Sequence, residues 1–216
     1  MTEPKPELSG RRAQAARNDG RILDAAREVF LVDPEAPISA VAARAQVGIS
    51  ALYRRYPGKE DLLRELARDG LTRFAGDLEV ALADDGDPWT AYTECLLRVL
   101  AGRSQALAQR LAGAFRTTPE TAALAIRVGE LSRRLHERTQ QAGALRPDVT
   151  PADVVLLLEM LSSVAIPVPD GGAGLRRRYL TLLLQSLHVA GGPLPLPAAD
   201  DAVLAARWRA AGRLGD

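Results

Sequence analysis

Between Ser39 and Leu63 the chain reads SAVAARAQVGISALYRRYPGKEDLL, and this stretch constrains the fold more than any other. Its two apolar patterns, Val41/Ala42/Ala45 and Leu52/Tyr53/Tyr56, are each too brief to bury a core alone, and Gly48 lies at the junction between them. Two small helices crossing at a tight turn satisfy that pattern. From Ala36 to Lys59 the only charged side chains are Arg44, Arg54, Arg55 and Lys59. A compact unit that carries positive charge with no acid of its own points to nucleic acid as a partner.

The flanking residues extend the unit. Residues 1–17 hold Pro4, Pro6 and Gly10, lack an apolar period and turn basic at Arg11, Arg12 and Arg17. They are expected to form a basic arm, either a solvated tail or a segment that touches DNA. Asn18 or Asp19 then caps a first helix with Ile22, Ala25, Ala26, Val29 and Phe30 on one face, ended by Asp33-Pro34. A second helix starts after Pro37, with Ile38, Val41, Ala42 and Ala45 on its inner side. At the turn Gln46-Val47-Gly48-Ile49 a third helix begins, Val47 and Leu52 plug the gap between helices two and three, and Ser50, Ala51, Arg54 and Arg55 are left on other faces. The Tyr53 hydroxyl is expected at a phosphate and the Tyr56 ring in the core. Pro57 stops this helix, and Lys59 opens the next with Glu60 and Asp61 in its first turn.

From Ile22 to about Leu66 these residues resemble the TetR family of bacterial transcriptional regulators. The likeness is carried by Val47-Gly48-Ile49, by Leu52-Tyr53-Arg54-Arg55-Tyr56-Pro57 and by Lys59-Glu60-Asp61-Leu62-Leu63. Three positions depart from the family pattern. Gln46 stands where the turn glycine is usual, and Ser50 and Ala51 stand where Gly-Thr is common. A left-handed Gln46 costs about 1–2 kcal/mol, which a packed turn tolerates. The resemblance implies DNA contacts from Gly48, Ile49, Ser50, Ala51, Tyr53, Arg54, Arg55 and Lys59, and the charge of the unit adds Arg44. One of Arg54 and Arg55 is suited to bidentate pairing with guanine if it faces the groove. Lys59, at a helix N-terminus, is suited to a phosphate.

The helix begun at Lys59 continues to about Ala83, long enough to join a DNA-binding head to a distal body. Three further helices announce themselves by a capping residue followed by proline, at Asp87-Pro88, Thr118-Pro119 and Thr150-Pro151. Gly102 precedes a segment from Ser104 to Phe115, and Gly143 lies beyond the end of the helix begun at Pro119. With no alternating strand or Asn-Gly hairpin signal, the chain is all-α. It comprises a three-helix helix-turn-helix DNA-binding domain over residues 18–64 and a helical ligand-binding and dimerisation domain over 65–190. Residues 191–216 form a proline-rich linker and a short segment, helical from Asp200 to Ala211 with Leu204 and Trp208 on one side.

The last two helices of the body are apolar nearly all round and call for cover on both sides. A homodimer interface is expected from Val154, Leu157, Leu158, Leu161, Tyr179, Leu183 and Leu187. Two heads reading half-sites predict a palindromic duplex operator. The family also implies a small-molecule effector held among central helices; periodicity nominates Trp89, Tyr92, Leu96, Phe115, Arg127, Leu131 and Met160, a list suited to an apolar or aromatic ligand. Its occupation would move the lever helix begun at Lys59. A repressor released by such a ligand is the expected function, with an activator or a ligand-independent regulator as alternatives, and a helical interaction module or enzyme behind them.

Net charge is only +1, so affinity for nucleic acid must come from local clustering. One cysteine, Cys95, excludes an internal disulfide and reads as a small buried hydrophobe. His136 and His188 have no acid or cysteine at metal-ligand spacing, and there is no phosphate loop or nucleophile elbow. No metal, cofactor or catalytic residue is therefore expected. The N-terminus has no secretory core, and the longest apolar run, Val154 to Val168, is broken by Glu159 and Pro167. It falls short of the roughly 20 residues a membrane span needs. A cytoplasmic protein with no membrane partner is expected.

Overall fold

The computed structural model describes residues 7–102, 115–163, 172–188, 194 and 198–203, with side chains from Asn18 onward. Among these are eight helices: α1 (Glu7–Val32), α2 (Ile38–Ala45), α3 (Ile49–Arg55), α4 (Lys59–Ala83), α5 (Pro88–Gly102), α6 (Pro119–Gln141), α7 (Pro151–Ser163) and α8 (Ala173–His188). The chain divides into two compact units, Met1–Leu66 and Ala67–Asp216. The segment expected from Ser104 to Phe115 lies outside the described residues except for its last one.

In the first unit α1 packs on α2 through Ile22, Ala25, Ala26 and Phe30, with α2 presenting Ile38, Val41, Ala42 and Ala45. The small alanines at 42 and 45 let the helices approach closely. Leu52 of α3 and Leu62, Leu63 and Leu66 of α4 are each no more than 1% exposed and complete this core. Helix α1 ends where sequence reading placed its end: Asp33 N–H donates to Val29 O at 2.9 Å, and the Asp33 carboxylate accepts from Glu35 N–H at 2.9 Å ahead of the next helix. Its start is a correction. The sequence predicts a first helix from Asn18 or Asp19, after a basic arm over residues 1–17, yet α1 is helical from Glu7. The segment Arg11 to Arg17 is rich in alanine and arginine, which favour helix, and Gly10 alone does not outweigh them.

In the second unit the three proline-begun helices have the caps that the sequence announces. The Asp87 carboxylate accepts from Thr90 N–H at 2.8 Å and from its hydroxyl at 2.7 Å. Thr118 Oγ1 accepts from Thr121 N–H at 3.2 Å. Thr150 and Asp153 form a reciprocal box, Asp153 N–H to Thr150 Oγ1 and Thr150 N–H to Asp153 Oδ2. Helix α6 ends on Gly143 at φ 70°, with Gly143 N–H bonded to Gln140 O and Ala144 N–H to Thr139 O. That is the paired-bond ending for which a left-handed glycine is favoured.

The core of this unit joins α4 to α8. Leu78, Tyr92, Cys95, Leu96, Val99, Leu131, Leu135, Val154, Leu158, Leu180 and Leu184 are all buried in it. Cys95 is fully covered, and burial pushes its thiol up to about 12, so it stays protonated and inert at neutral pH. Arg138 of α6 reaches the end of α4 and donates to the carbonyls of Ala81, Leu82 and Asp84 at 2.9, 3.0 and 3.2 Å. A helix end otherwise left with unpaired carbonyls is thereby closed by one guanidinium.

Two points of the tail dock on the turn between α6 and α7 and on the first turn of α7. Leu194 N–H donates to Asp148 Oδ2 at 3.0 Å, and Ala199 N–H to Asp153 Oδ1 at 3.0 Å. The bond from Arg146, and then the one from Leu194 N–H, hold the Asp148 carboxyl well below its ordinary range. The helix expected from Asp200 begins at 201–203, with Val203 N–H on Asp200 Oδ1 at 3.0 Å, and its remainder, including Leu204 and Trp208, lies outside the described residues.

Candidate nucleic-acid interface

Helix α3 has one inner residue. Leu52 is fully buried, while Ile49, Ser50, Ala51, Tyr53, Arg54 and Arg55 are exposed, and Tyr56, just beyond the helix, is buried again. Gly48 caps the helix in extended conformation at φ −64°, and a Cβ built there meets nothing within 4 Å. The tight turn therefore does not depend on Gly48. Its left-handed residue is Gln46, at φ 56° and ψ 44°, with Gln46 N–H bonded to Ala43 O at 3.2 Å and Val47 N–H to Ala42 O at 3.0 Å. This is the same ending as at Gly143, built on a residue that pays the left-handed cost. Arg21 of α1 offsets it by donating to Ala45 O at 2.9 Å and to Gln46 Oε1 at 3.3 Å. Sequence reading missed Arg21 because its partners lie 24 and 25 residues away and no local pattern announces them.

The charge of the unit also needs correcting. The window Ala36 to Lys59 contains no acid, yet acids from outside it reach in. Arg44 pairs with Glu28 of α1. Arg55 Nε–H donates to both carboxylate oxygens of Asp19, at 3.0 and 3.1 Å, and the guanidinium stands 5.5 Å from the Tyr56 ring centre. That hydrogen bond first, and the Asp19 charge second, push the Arg55 pKa up further. Lys59 donates to Pro34 O at 2.8 Å and lies 5.4 Å from the Phe30 ring centre, with Glu35 at 4.0 Å. Of these four cations Arg54 alone makes no hydrogen bond or ion pair among the described residues.

Of the residues nominated for a ligand, the structure brings four together and leaves Phe115, Arg127 and Met160 outside that group. Tyr92, Leu96 and Leu131 are buried in the body core, and Trp89 packs against it half-buried, stacked on His188 with ring centres 4.4 Å apart. Arg127 is exposed and paired with Glu79 at 2.6 Å, Met160 is 57% exposed, and Phe115 is half-buried. Tyr92 is committed to its own core: its hydroxyl lies 3.1 Å from His136 Nδ1, and His136 Nε2 lies 2.9 Å from Val149 O. A carbonyl accepts only, so Nε2 carries the proton, and in the neutral ring Nδ1 accepts from Tyr92.

Burial, the leading cause, holds this imidazole below its ordinary value, against the opposing pull of Val149 O, Glu137 and Asp153. Above about pH 6.5 the ring is neutral in both folded and unfolded chains and its contribution is complete. Below that, the unfolded chain binds a proton that the folded chain refuses, so stability falls as pH drops toward the folded value. Urea midpoints taken at about pH 7.5 and about pH 5.5 should decline, and His136→Gln should shrink the decline. An equal decline in the variant would assign it to other groups.

The expected dimer residues divide as well. Val154 and Leu158 are 6% and 2% exposed and lie in the chain's own core. Leu161 and Leu187 pack half-buried against that core, and Leu157 and Leu183 are half-buried. Tyr179 is exposed, as are Leu175, Leu182 and Met160. Near-continuous apolar residues on α7, and the leucines of α8 from Leu180 to Leu184, hid which stripe turns inward, because neighbouring faces carry similar side chains in sequence.

Comparison with known proteins agrees with this architecture. Residues 22–66 match the family described as "Bacterial regulatory proteins, tetR family", and residues 84–189 match "Transcriptional regulator SbtR-like, C-terminal domain". The chain is 40% identical over 98 residues to the HTH-type transcriptional repressor LfrR of Mycolicibacterium smegmatis, covering 45% of this chain and 47% of that protein. The matched region thus spans less than half of that relative. Among solved structures, the TetR regulatory protein of Mycobacterium vanbaalenii superposes with a TM-score of 0.56 at 25% identity, over 82% of this chain and 99% of that one. LfrR in complex with proflavine superposes with a TM-score of 0.54 at 24% identity, over 85% and 99%, which supports the fold alone. The two family matches do not overlap, and together they span well over half of the residues. With a helix-turn-helix head followed by a helical body, this chain belongs to the TetR family of transcriptional regulators.

Proposed function

We propose that this regulator is a sequence-specific DNA-binding repressor whose head, residues 18–64, reads an operator, and whose body, residues 65–190, dimerises and answers to a small, largely apolar ligand. The observation that carries the DNA reading is α3, a short helix anchored by one buried leucine with all its other side chains exposed. Such a helix presents its outer face to a major groove, and phosphate contacts flanking it hold the register. The exposed apolar residues Met160, Leu175, Tyr179 and Leu182 of α7 and α8 support a homodimer. A twofold assembly would pair two heads on a palindromic site.

Repression that a ligand relieves requires the ligand to bind the DNA-incompetent state better, and DNA then weakens ligand binding by the same factor. The fold is shared with LfrR, whose structure holds proflavine, so proflavine is the first probe. Among the described residues no helix is long and apolar enough to cross a membrane. The expected result is a specific mobility shift on the DNA flanking the protein's own gene, at low and moderate salt, released by proflavine or a related planar aromatic. A folded dimer that gives no specific band would overturn the DNA reading. A specific band that no ligand of a broad panel releases would overturn the ligand reading alone.

A further inference from the structure

We infer that Arg54 reads a guanine in each half-site, and that Arg44, Arg55 and Lys59 hold the head together without reading bases. The inference rests on the DNA-binding reading above and adds which base chemistry the head selects.

Helical geometry places Arg54. At about 100° per residue, Ser50 and Arg54 each lie about 160° around α3 from the buried Leu52, and so share the outermost stripe of the helix. Ala51 and Tyr53 flank that stripe, each about 100° from Leu52. Arg55 lies only about 60° from Leu52, on the inner flank, where it meets Asp19 of α1. When a short helix enters a major groove, its outermost stripe faces the base edges and its flanks face the groove walls.

Commitment of the other cations narrows the choice. Arg55 donates to both oxygens of Asp19, Arg44 pairs with Glu28, and Lys59 donates to Pro34 O beside the Phe30 ring. Moving any of them onto DNA breaks a contact within the head, whereas Arg54 has none to break among the described residues. Its neighbour one turn earlier, Ser50, is too short to obstruct it and can itself contact either kind of base pair. A guanidinium fork presented this way matches the O6 and N7 acceptors of guanine, a pattern no other base offers in the major groove.

The test uses the full-length protein in selection from a library of random DNA duplexes, comparing the native chain with Arg54→Gln and Arg55→Gln. The native chain should enrich a twofold-symmetric motif with a G·C pair in each half. Arg54→Gln should fold like the native protein, since Arg54 is exposed, and should prefer A·T at that pair, because glutamine pairs with adenine N6 and N7. Its affinity for the native site should fall by about tenfold or more. Arg55→Gln should lower the melting temperature and the affinity together and keep the same preferred bases. If Arg54→Gln weakens every sequence equally and leaves the motif unchanged, Arg54 contacts phosphate and the inference is overturned while DNA binding stands. If Arg55→Gln changes the preferred base, the assignment passes to Arg55. If the native chain enriches no motif, the DNA reading fails and this inference fails with it.

Discussion

Phe30→Ala should unfold the head unit, at a cost of about 3–5 kcal/mol. Phe30 is fully buried on α1, among the side chains that pack α1 on α2. Its ring also meets the ammonium of Lys59, 5.4 Å from its centre, at the start of α4. Truncation leaves a cavity that the helices of the head cannot fill, and it removes the aromatic face under the lysine. A unit of this size buries a modest core, so such a loss takes most of its stability. Hydrogen exchange on the full-length chain provides the measurement: amides of α1, α2 and α3 should exchange freely while those of α5, α6 and α7 keep native protection. Native protection throughout α1–α3 would show that the head tolerates the cavity. Phe30→Leu, which keeps most of the volume, should cost far less and retain DNA binding.

The second large effect is expected in the body. Arg138→Met keeps the apolar stem of the arginine and removes the donors that close α4, leaving the carbonyls of Ala81, Leu82 and Asp84 without that partner. Charge-assisted hydrogen bonds of this kind are each worth about 1.5–3 kcal/mol, and water recovers part of the loss because Asp84 is exposed, so a net cost of about 2–3 kcal/mol is expected. The readout is a lower melting temperature together with faster exchange in the last turn of α4, and the amides of α3 should be unaffected. Uniform loss of protection across the body with no excess at that turn would mean that Arg138 acts through packing, not as a cap. The family resemblance implies that α4 carries the ligand signal; on that expectation the same substitution should also weaken the response of DNA affinity to ligand.

How much of this was legible in the sequence depends on how far apart the partners lie along the chain. Helices α2, α3 and α4 begin and end where sequence reading put them, because Pro37, Pro57 and the acids after Lys59 act on their immediate neighbours. The starts at Pro88, Pro119 and Pro151 were legible for the same reason, each cap partner lying three residues away. Gly143 was readable as a helix end, while Gln46 was readable only as a departure from a family pattern. That it is left-handed, and how its cost is met, involves Arg21 from another helix. The start of α1 at Glu7 is not legible locally, because Pro4, Pro6 and Gly10 signal a break while the helix-forming residues Arg11 to Arg17 that follow carry no apolar period.

The sequence by itself determined the class of fold, the family and the exposed short helix that DNA recognition requires, since periodicity, caps and a motif over Ile22 to Leu66 are all local signals. Only the tertiary structure decided which cations are free to act. Arg44, Arg54, Arg55 and Lys59 look alike in a window without acids, but folding brings Glu28, Asp19 and the Pro34 carbonyl against three of them and leaves Arg54 on the outermost stripe of α3. The same holds for the body, where Val154 and Leu158 turn inward and Tyr179 turns outward along helices rich in apolar residues on more than one face. The physical reason is common to both cases. Ion pairs and buried faces are set by residues distant in sequence that packing brings within a few ångströms, and no local pattern encodes that distance.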